Sequence, residues 1–198
     1  MLGLVGRLIL RFGGWRDEGV SQVAPKFVLI AAPHTSNWDL VLMLAIAKKH
    51  KLRLSWMGKH TMFEAPFGFM LKWMGGIAID RRSRHSVVDQ MVEVFARADE
   101  LILAVPPEGT RSRAEHWKSG FYQIALAAGV PVVPGYLDYA NKVGGFGPPV
   151  TLTGDVTRDM DAFRVFYGGM QGRFPDKFGP IRLAAEDDVE PRRSGQAS

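Results

Sequence analysis

Phe27-Val28-Leu29-Ile30-Ala31-Ala32-Pro33-His34-Thr35-Ser36-Asn37-Trp38-Asp39 is the stretch that decides how this chain folds. Phe27 to Ala32 is apolar at every position instead of alternating, the pattern of a strand buried on both faces, as in a parallel sheet. Pro33 stops the run, and Ser36 is placed to cap a helix from about Asn37 to Lys49. A buried strand leading into a helix is half of a βαβ unit, and the rest of the chain repeats the theme. Leu52–Met57, Ile77–Ile79, Leu101–Val105 and Pro131–Leu137 read as further strands. Between and after them, Pro66–Met74, the face Val87, Val88, Met91, Val92 and Phe95, Phe121–Ala128 (ended by Gly129) and Met160–Tyr167 read as helices. This alternation predicts an α/β fold: a single domain with a largely parallel sheet flanked by helices.

At the N-terminus, Leu2, Val5, Leu8, Ile9 and Phe12 fall near helical spacing with Arg7 and Arg11 among them, and Gly13-Gly14 ends the pattern. The expected organisation is an amphipathic interfacial helix over 1–16, a domain over 17–184, and a charged, then Arg/Ser/Gly-rich tail over 185–198 that is expected to be disordered. The alternative for the first helix is docking on the domain. No linker or internal repeat divides the remainder.

Of the 198 residues, 46% are hydrophobic and 23% charged, so a substantial core is available. There is no cysteine, which excludes disulfides, thiolate metal sites and a Cys nucleophile. The net charge of +5 points to an anionic partner without choosing among nucleic acid, phosphorylated substrate and anionic lipid. No apolar run approaches the ~18 residues of a membrane span, and no basic segment precedes the first apolar stretch as in a signal peptide. The expected location is cytoplasmic, peripheral on the inner face of the membrane.

Three segments carry chemistry, each at or after a strand end, where α/β proteins build sites. In the first, His34 and Asp39 would point about 140° apart on one continuous helix, but across a strand-to-helix turn they can meet. A carboxylate on one imidazole nitrogen fixes the tautomer and leaves the other nitrogen free as a base. The competing role for Asp39 is structural, because Ser36-x-x-Asp39 is also a capping-box pattern. The second segment is Pro106-Pro107-Glu108-Gly109-Thr110-Arg111-Ser112, in which Arg111 supplies a fork suited to phosphate, or simply a solvated turn. The third is Gly75 to Arg82, with Asp80-Arg81-Arg82 at its end, which alone reads as a charge cluster at a strand end.

Together these segments resemble the glycerolipid acyltransferase family, best known for members that acylate lysophosphatidic acid. The resemblance rests on an H-x-x-x-x-D box (His34 to Asp39), a G-x-x-x-I-D-R-like box (Gly75 to Arg81), a P-E-G-T-R-S box (Pro107 to Ser112) and Val130-Pro131-Val132-Val133-Pro134, in that order, across about residues 25 to 140. Pro33 stands where Asn is common before the His, and Trp117 to Tyr122 is a distinctive version of the stretch that follows the third box. The resemblance implies an O-acyltransferase with His34 and Asp39 at the active centre. It implies that Arg81, Glu108, Gly109, Thr110 and Arg111 bind the acceptor. The partners it implies are acyl-CoA or acyl carrier protein as co-substrate, a lysolipid acceptor and a membrane surface, with no cofactor, no metal and no nucleic acid. His34 would take the proton of the acceptor hydroxyl as its oxygen attacks the thioester, with no covalent enzyme intermediate. An acceptor with an amino-acid headgroup, a thioester hydrolase and a non-catalytic lipid- or phosphate-binding module are the alternatives. Lys59 to Met74, crowded with Phe, Met and Trp, is expected to be either an acyl-tail surface or plain core.

Overall fold

The structure, a computed structural model, describes residues 2–19, 24–64, 66, 68–80, 82 and 86–187. Its elements are α1 (Leu2–Gly13), β1 (Arg16–Gly19), β2 (Lys26–Ala32), α2 (Asn37–Lys49), β3 (Leu54–Lys59), α3 (Gly68–Trp73), β4 (Gly76–Ile79), α4 (Val87–Arg97), β5 (Leu101–Val105), α5 (Gly120–Ala128), β6 (Val132–Asp138), β7 (Val143–Phe146) and α6 (Val156–Tyr167). Short 3-10 turns lie at His60–Phe63, Pro175–Lys177 and Ala184–Glu186.

The strands form one seven-stranded sheet in the order β1-β7-β6-β2-β5-β3-β4. From β6 to β4 every pairing is parallel, while β7 turns back antiparallel to β6 and β1 runs parallel to β7. The mostly parallel α/β architecture is therefore the one that the alternating pattern predicts. The β1 and β7 strands were not anticipated, since Arg16-Asp17-Glu18-Gly19 and Val143-Gly144-Gly145-Phe146 carry no apolar run. Gly145 is required where they meet, because an added Cβ would stand 1.6 Å from the Glu18 carbonyl oxygen.

Both faces of β2 are covered, which is why its sequence does not alternate. Val28 and Ile30 pack with Met91, Phe95, Phe121, Ile124 and Phe163 on one side. Phe27 and Leu29 pack with Leu10, Leu42 and Ile46 on the other. Each such fully buried side chain contributes roughly 1.5–3 kcal/mol relative to exposure. Trp117, Phe121 and Tyr122, from the distinctive stretch after the third box, are all core residues, and the Tyr122 O–H donates to Asp159 Oδ2 at 2.8 Å.

α1 is docked on α2. Leu10 enters the core, and Gly6 lies so close that an added Cβ would be 3.1 Å from the Ala45 carbonyl oxygen. Its outer face still presents Leu8, Phe12 and Arg11 to solvent. One face of α1 is thus packed on the domain and the other is open to solvent. Core packing does not account for the Phe/Met/Trp-rich segment: Phe69 is 76% and Trp73 82% exposed, and Met62, Met70 and Met74 are also exposed. The expectation of disorder from residue 185 is corrected at its start. Glu186 is buried and accepts from Arg164 Nη1 at 2.9 Å, which anchors the 3-10 turn Ala184–Glu186. Residues 188–198 lie outside the described residues. Among the described residues no helix is long and apolar enough to cross a membrane.

Candidate active site

Three neighbouring strands, β5, β2 and β6, deliver their C-terminal ends to one place. The pairings Ile30↔Val105 and Ala32↔Tyr136 put the chain beyond Ala32 between the loop after β5 and the residues that end β6. The Ala32–Pro33 peptide is cis, and His34 follows it. The backbone N–H of His34 donates to Glu108 Oε1 at 2.7 Å, which ties the first box to the third.

α2 then starts with a capping box, with Ser36 as N-cap and Asp39 as its third residue. Ser36 Oγ accepts the Trp38 N–H at 3.2 Å. Asp39 Oδ2 accepts the N–H groups of Thr35 at 2.7 Å and Ser36 at 2.8 Å. The same oxygen lies 3.6 Å from His34 Nδ1, an electrostatic contact just beyond hydrogen-bond range. The two readings of Asp39 are therefore not alternatives. One buried carboxyl caps the helix and faces the imidazole, because the turn folds His34 back over the helix start.

Burial holds the His34 pKa below its ordinary value of 6.5; Asp39 opposes the shift and the charge of Arg111 reinforces it. The shift favours the neutral imidazole. Its side chain keeps 15% exposure, enough for a small group to reach it.

Glu108 departs from the expected substrate contact. It is 1% exposed and turned inward, with Oε1 on the His34 N–H and Oε2 without a hydrogen-bond partner among the described residues. Burial pushes its pKa up to about 7; the His34 N–H works against that rise and the nearby Asp39 adds to it. Glu108 supports His34 from behind.

The residues that follow Glu108 in that box, Gly109 to Ser112, face out. Gly109 adopts φ +68°, a left-handed conformation that suits glycine, and its N–H closes a turn onto the Pro106 carbonyl at 3.1 Å. Thr110 Oγ1 accepts the Ser112 N–H at 3.2 Å, while Thr110 and Arg111 are exposed. Arg81 lies outside the described residues, and its box ends β4, which is separated from β2 by β5 and β3. The Val130 to Pro134 box enters β6 from the opposite end of the sheet, where the Pro131 carbonyl accepts the Val28 N–H at 3.0 Å. That box builds the strand and does not line the site.

Two residues escaped the sequence reading. Tyr139, just past β6, donates its O–H to Asp39 Oδ1 at 2.7 Å. The position was findable in principle, since it follows a strand adjacent to β2. Arg173 comes from the segment after α6, outside every box, and its guanidinium lies 5.9 Å from the Trp38 ring centroid. That segment is fastened to the site by the Phe174 N–H, which donates to Thr35 Oγ1 at 3.2 Å.

Comparison with known proteins gives concordant results. The Acyltransferase family model matches residues 16–138, well over half of the chain. A 1-acyl-sn-glycerol-3-phosphate acyltransferase from Salmonella typhimurium is 34% identical over 110 residues, which are 52% of this chain and 43% of that protein. The protein of the same name from Escherichia coli is 33% identical over 110 residues, with the same shares. The chain thus matches less than half the length of these curated relatives. The crystal structure of the 1-acyl-sn-glycerophosphate (LPA) acyltransferase from Thermotoga maritima is similar in fold, with a TM-score of 0.56 at 18% identity, covering 83% of this chain and 74% of that one.

Proposed function

Since this chain belongs to the Acyltransferase family, we propose that it moves a fatty acyl group from a thioester donor, acyl-CoA or acyl-ACP, to the hydroxyl of a lysophospholipid-type acceptor such as lysophosphatidic acid. The observation that carries the reading is the buried Asp39 carboxyl 3.6 Å from the imidazole of a partly exposed His34. With Nδ1 turned to Asp39, Nε2 is left to take the acceptor's hydroxyl proton. The acceptor oxygen then bonds to the thioester carbonyl carbon, the C–S bond breaks, and the departing thiolate recovers the proton from His34. A His34 pKa held below 6.5 keeps the base form populated at neutral pH, so the acidic limb of kcat/KM falls below pH 6.5.

Incubation with lysophosphatidic acid and labelled acyl-CoA or acyl-ACP, read by mass spectrometry, tests the reaction. Phosphatidic acid carrying the label is expected; labelled free fatty acid formed without any acceptor would make the protein a thioester hydrolase. Arg111, exposed beside His34, suits the acceptor's phosphate. Arg111→Ala is expected to raise the acceptor KM about 10-fold, the scale of one charged hydrogen bond, and to leave the donor KM within about twofold. A rise confined to the donor KM would reassign Arg111.

The acceptor's tail belongs in a lipid surface, and the exposed apolar groups suit one. Leu8 and Phe12 on α1, and Phe69 and Trp73 on α3, face solvent beside basic residues. Because α1 also fills the core through Leu10, its removal would unfold part of the domain. The double substitution Leu8→Ser with Phe12→Ser is the cleaner probe. It is expected to cut co-sedimentation with anionic vesicles several-fold with Tm within about 2 °C of wild type, as for surface changes. Undiminished co-sedimentation would leave α1 as a docked helix only.

A further inference from the structure

The two oxygens of Asp39 are supplied unequally. Oδ2 takes both backbone N–H groups of the turn, whereas Oδ1 has one donor among the described residues, the Tyr139 hydroxyl at 2.7 Å. Tyr139 is itself fixed from two directions. Its N–H donates to the Gln171 carbonyl at 2.9 Å, and its ring meets Trp15 edge-on with centroids 4.9 Å apart. Trp15 is in turn tied back to α1, its N–H donating to the Leu10 carbonyl at 2.8 Å. The phenol is thus aimed at the carboxyl by elements that belong to neither the His34 turn nor α2.

We propose that Tyr139 is a positioning residue for the His34–Asp39 pair, its hydroxyl holding the carboxyl plane so that Oδ2 stays turned to the imidazole. The proposal rests on the reading of that pair given above. The backbone donors fix only one oxygen, and a carboxyl pinned at one oxygen can still rock about that point. The Tyr139 bond removes this freedom and draws part of the negative charge toward Oδ1, away from His34. Burial, and then the bond to Asp39, raise the Tyr139 pKa, so the phenol remains a donor across the working pH range. The groups that act on His34 are Asp39 from α2 and Arg111 from the loop after β5, with Glu108 on its backbone; Arg173 acts on Tyr139.

Tyr139→Phe tests this with the ring, and hence the Trp15 contact, retained. Turnover is expected to fall about 10-fold, a fraction of what general-base catalysis contributes, with the acceptor KM within about twofold. The His34 imidazole, followed by NMR and assigned through its loss in His34→Gln, is expected to titrate about half a unit higher, because the carboxyl facing it regains charge. In an Asp39→Asn background, adding Tyr139→Phe should change kcat less than about twofold, as for residues acting through one another. A His34 midpoint within about 0.2 units of wild type would overturn the proposal, as would losses in kcat that multiply across the two sites. The titration needs no turnover. If wild-type protein transfers no acyl group, the proposed reaction fails, and the midpoint still decides the role of Tyr139.

Discussion

Asp39→Asn is expected to lower kcat by at least ~10²-fold, the lower range for general-base catalysis, while leaving the fold nearly as stable. The asymmetry follows from the hydrogen bonds. An Asn carbonyl can accept the Thr35 and Ser36 N–H groups now held by Oδ2, and its amide can donate to the Tyr139 oxygen. What disappears is charge. Near the positive end of α2 that loss costs about 0.3–1 kcal/mol of stability. Beside His34 it removes the group that offsets the positive charge developing as the imidazole takes a proton. His34→Ala should be equally inactive, and the double variant little worse than either, as for a pair working as one unit. Turnover and Tm on the three proteins decide it. Wild-type turnover in Asp39→Asn would leave this carboxyl as a helix cap and nothing more.

Replacing Glu108 by Gln should change how stability depends on pH more than any other single substitution at the site. In the folded protein the Glu108 pKa stands at about 7 against an ordinary 4.5, so the native state keeps a proton that the unfolded chain releases between those values. Stability from this group is therefore full below pH 4.5, falls as pH rises through the window, and is flat above about 7. The loss across the window is about 3 kcal/mol. For a domain of this size that is roughly 6–12 °C in Tm. Gln retains the oxygen that accepts the His34 N–H but has no proton to lose. The difference in Tm between wild type and Glu108→Gln should thus move in favour of the variant from pH 5 to pH 8. Parallel Tm curves across that range would show that Glu108 ionises normally and that its second oxygen reaches solvent or a donor.

How far the sequence could be read depended on the physics of each element. β2, α2 and β5 were legible to within a residue because both faces of the strands are buried and Ser36 caps the helix. β1 and β7 were not, since Arg16, Asp17 and Glu18 pair through backbone alone and Gly144 and Gly145 are chosen for close approach. The same division runs through the site. His34, Asp39, Glu108 and Arg111 lie in compact boxes that mark strand ends. Tyr139 and Arg173 reach the site from β6 and from the segment after α6, and only the tertiary fold reveals their proximity. The direction of Glu108 was misread for a related reason. The residues that follow it face out, and a left-handed Gly109 separates the inward carboxyl from the exposed Arg111.

The parallel pairing of β2 also sets an order of assembly. This strand, which presents His34, has no sheet partner close in sequence: Phe27 pairs with Ile102 on one side and Val28 with Val132 on the other. During synthesis a wholly apolar segment must therefore leave the ribosome and wait until some seventy further residues have emerged before β5 can cover one edge. It waits longer still for β6. Contacts this distant close slowly, in the range of milliseconds to seconds for proteins dominated by them. Until then Phe27 to Ala32 is an unpaired, uncharged edge of the kind that recruits other chains. The turn that carries His34 therefore takes shape only once β5 and β6 have been made, although its own residues precede theirs in the chain.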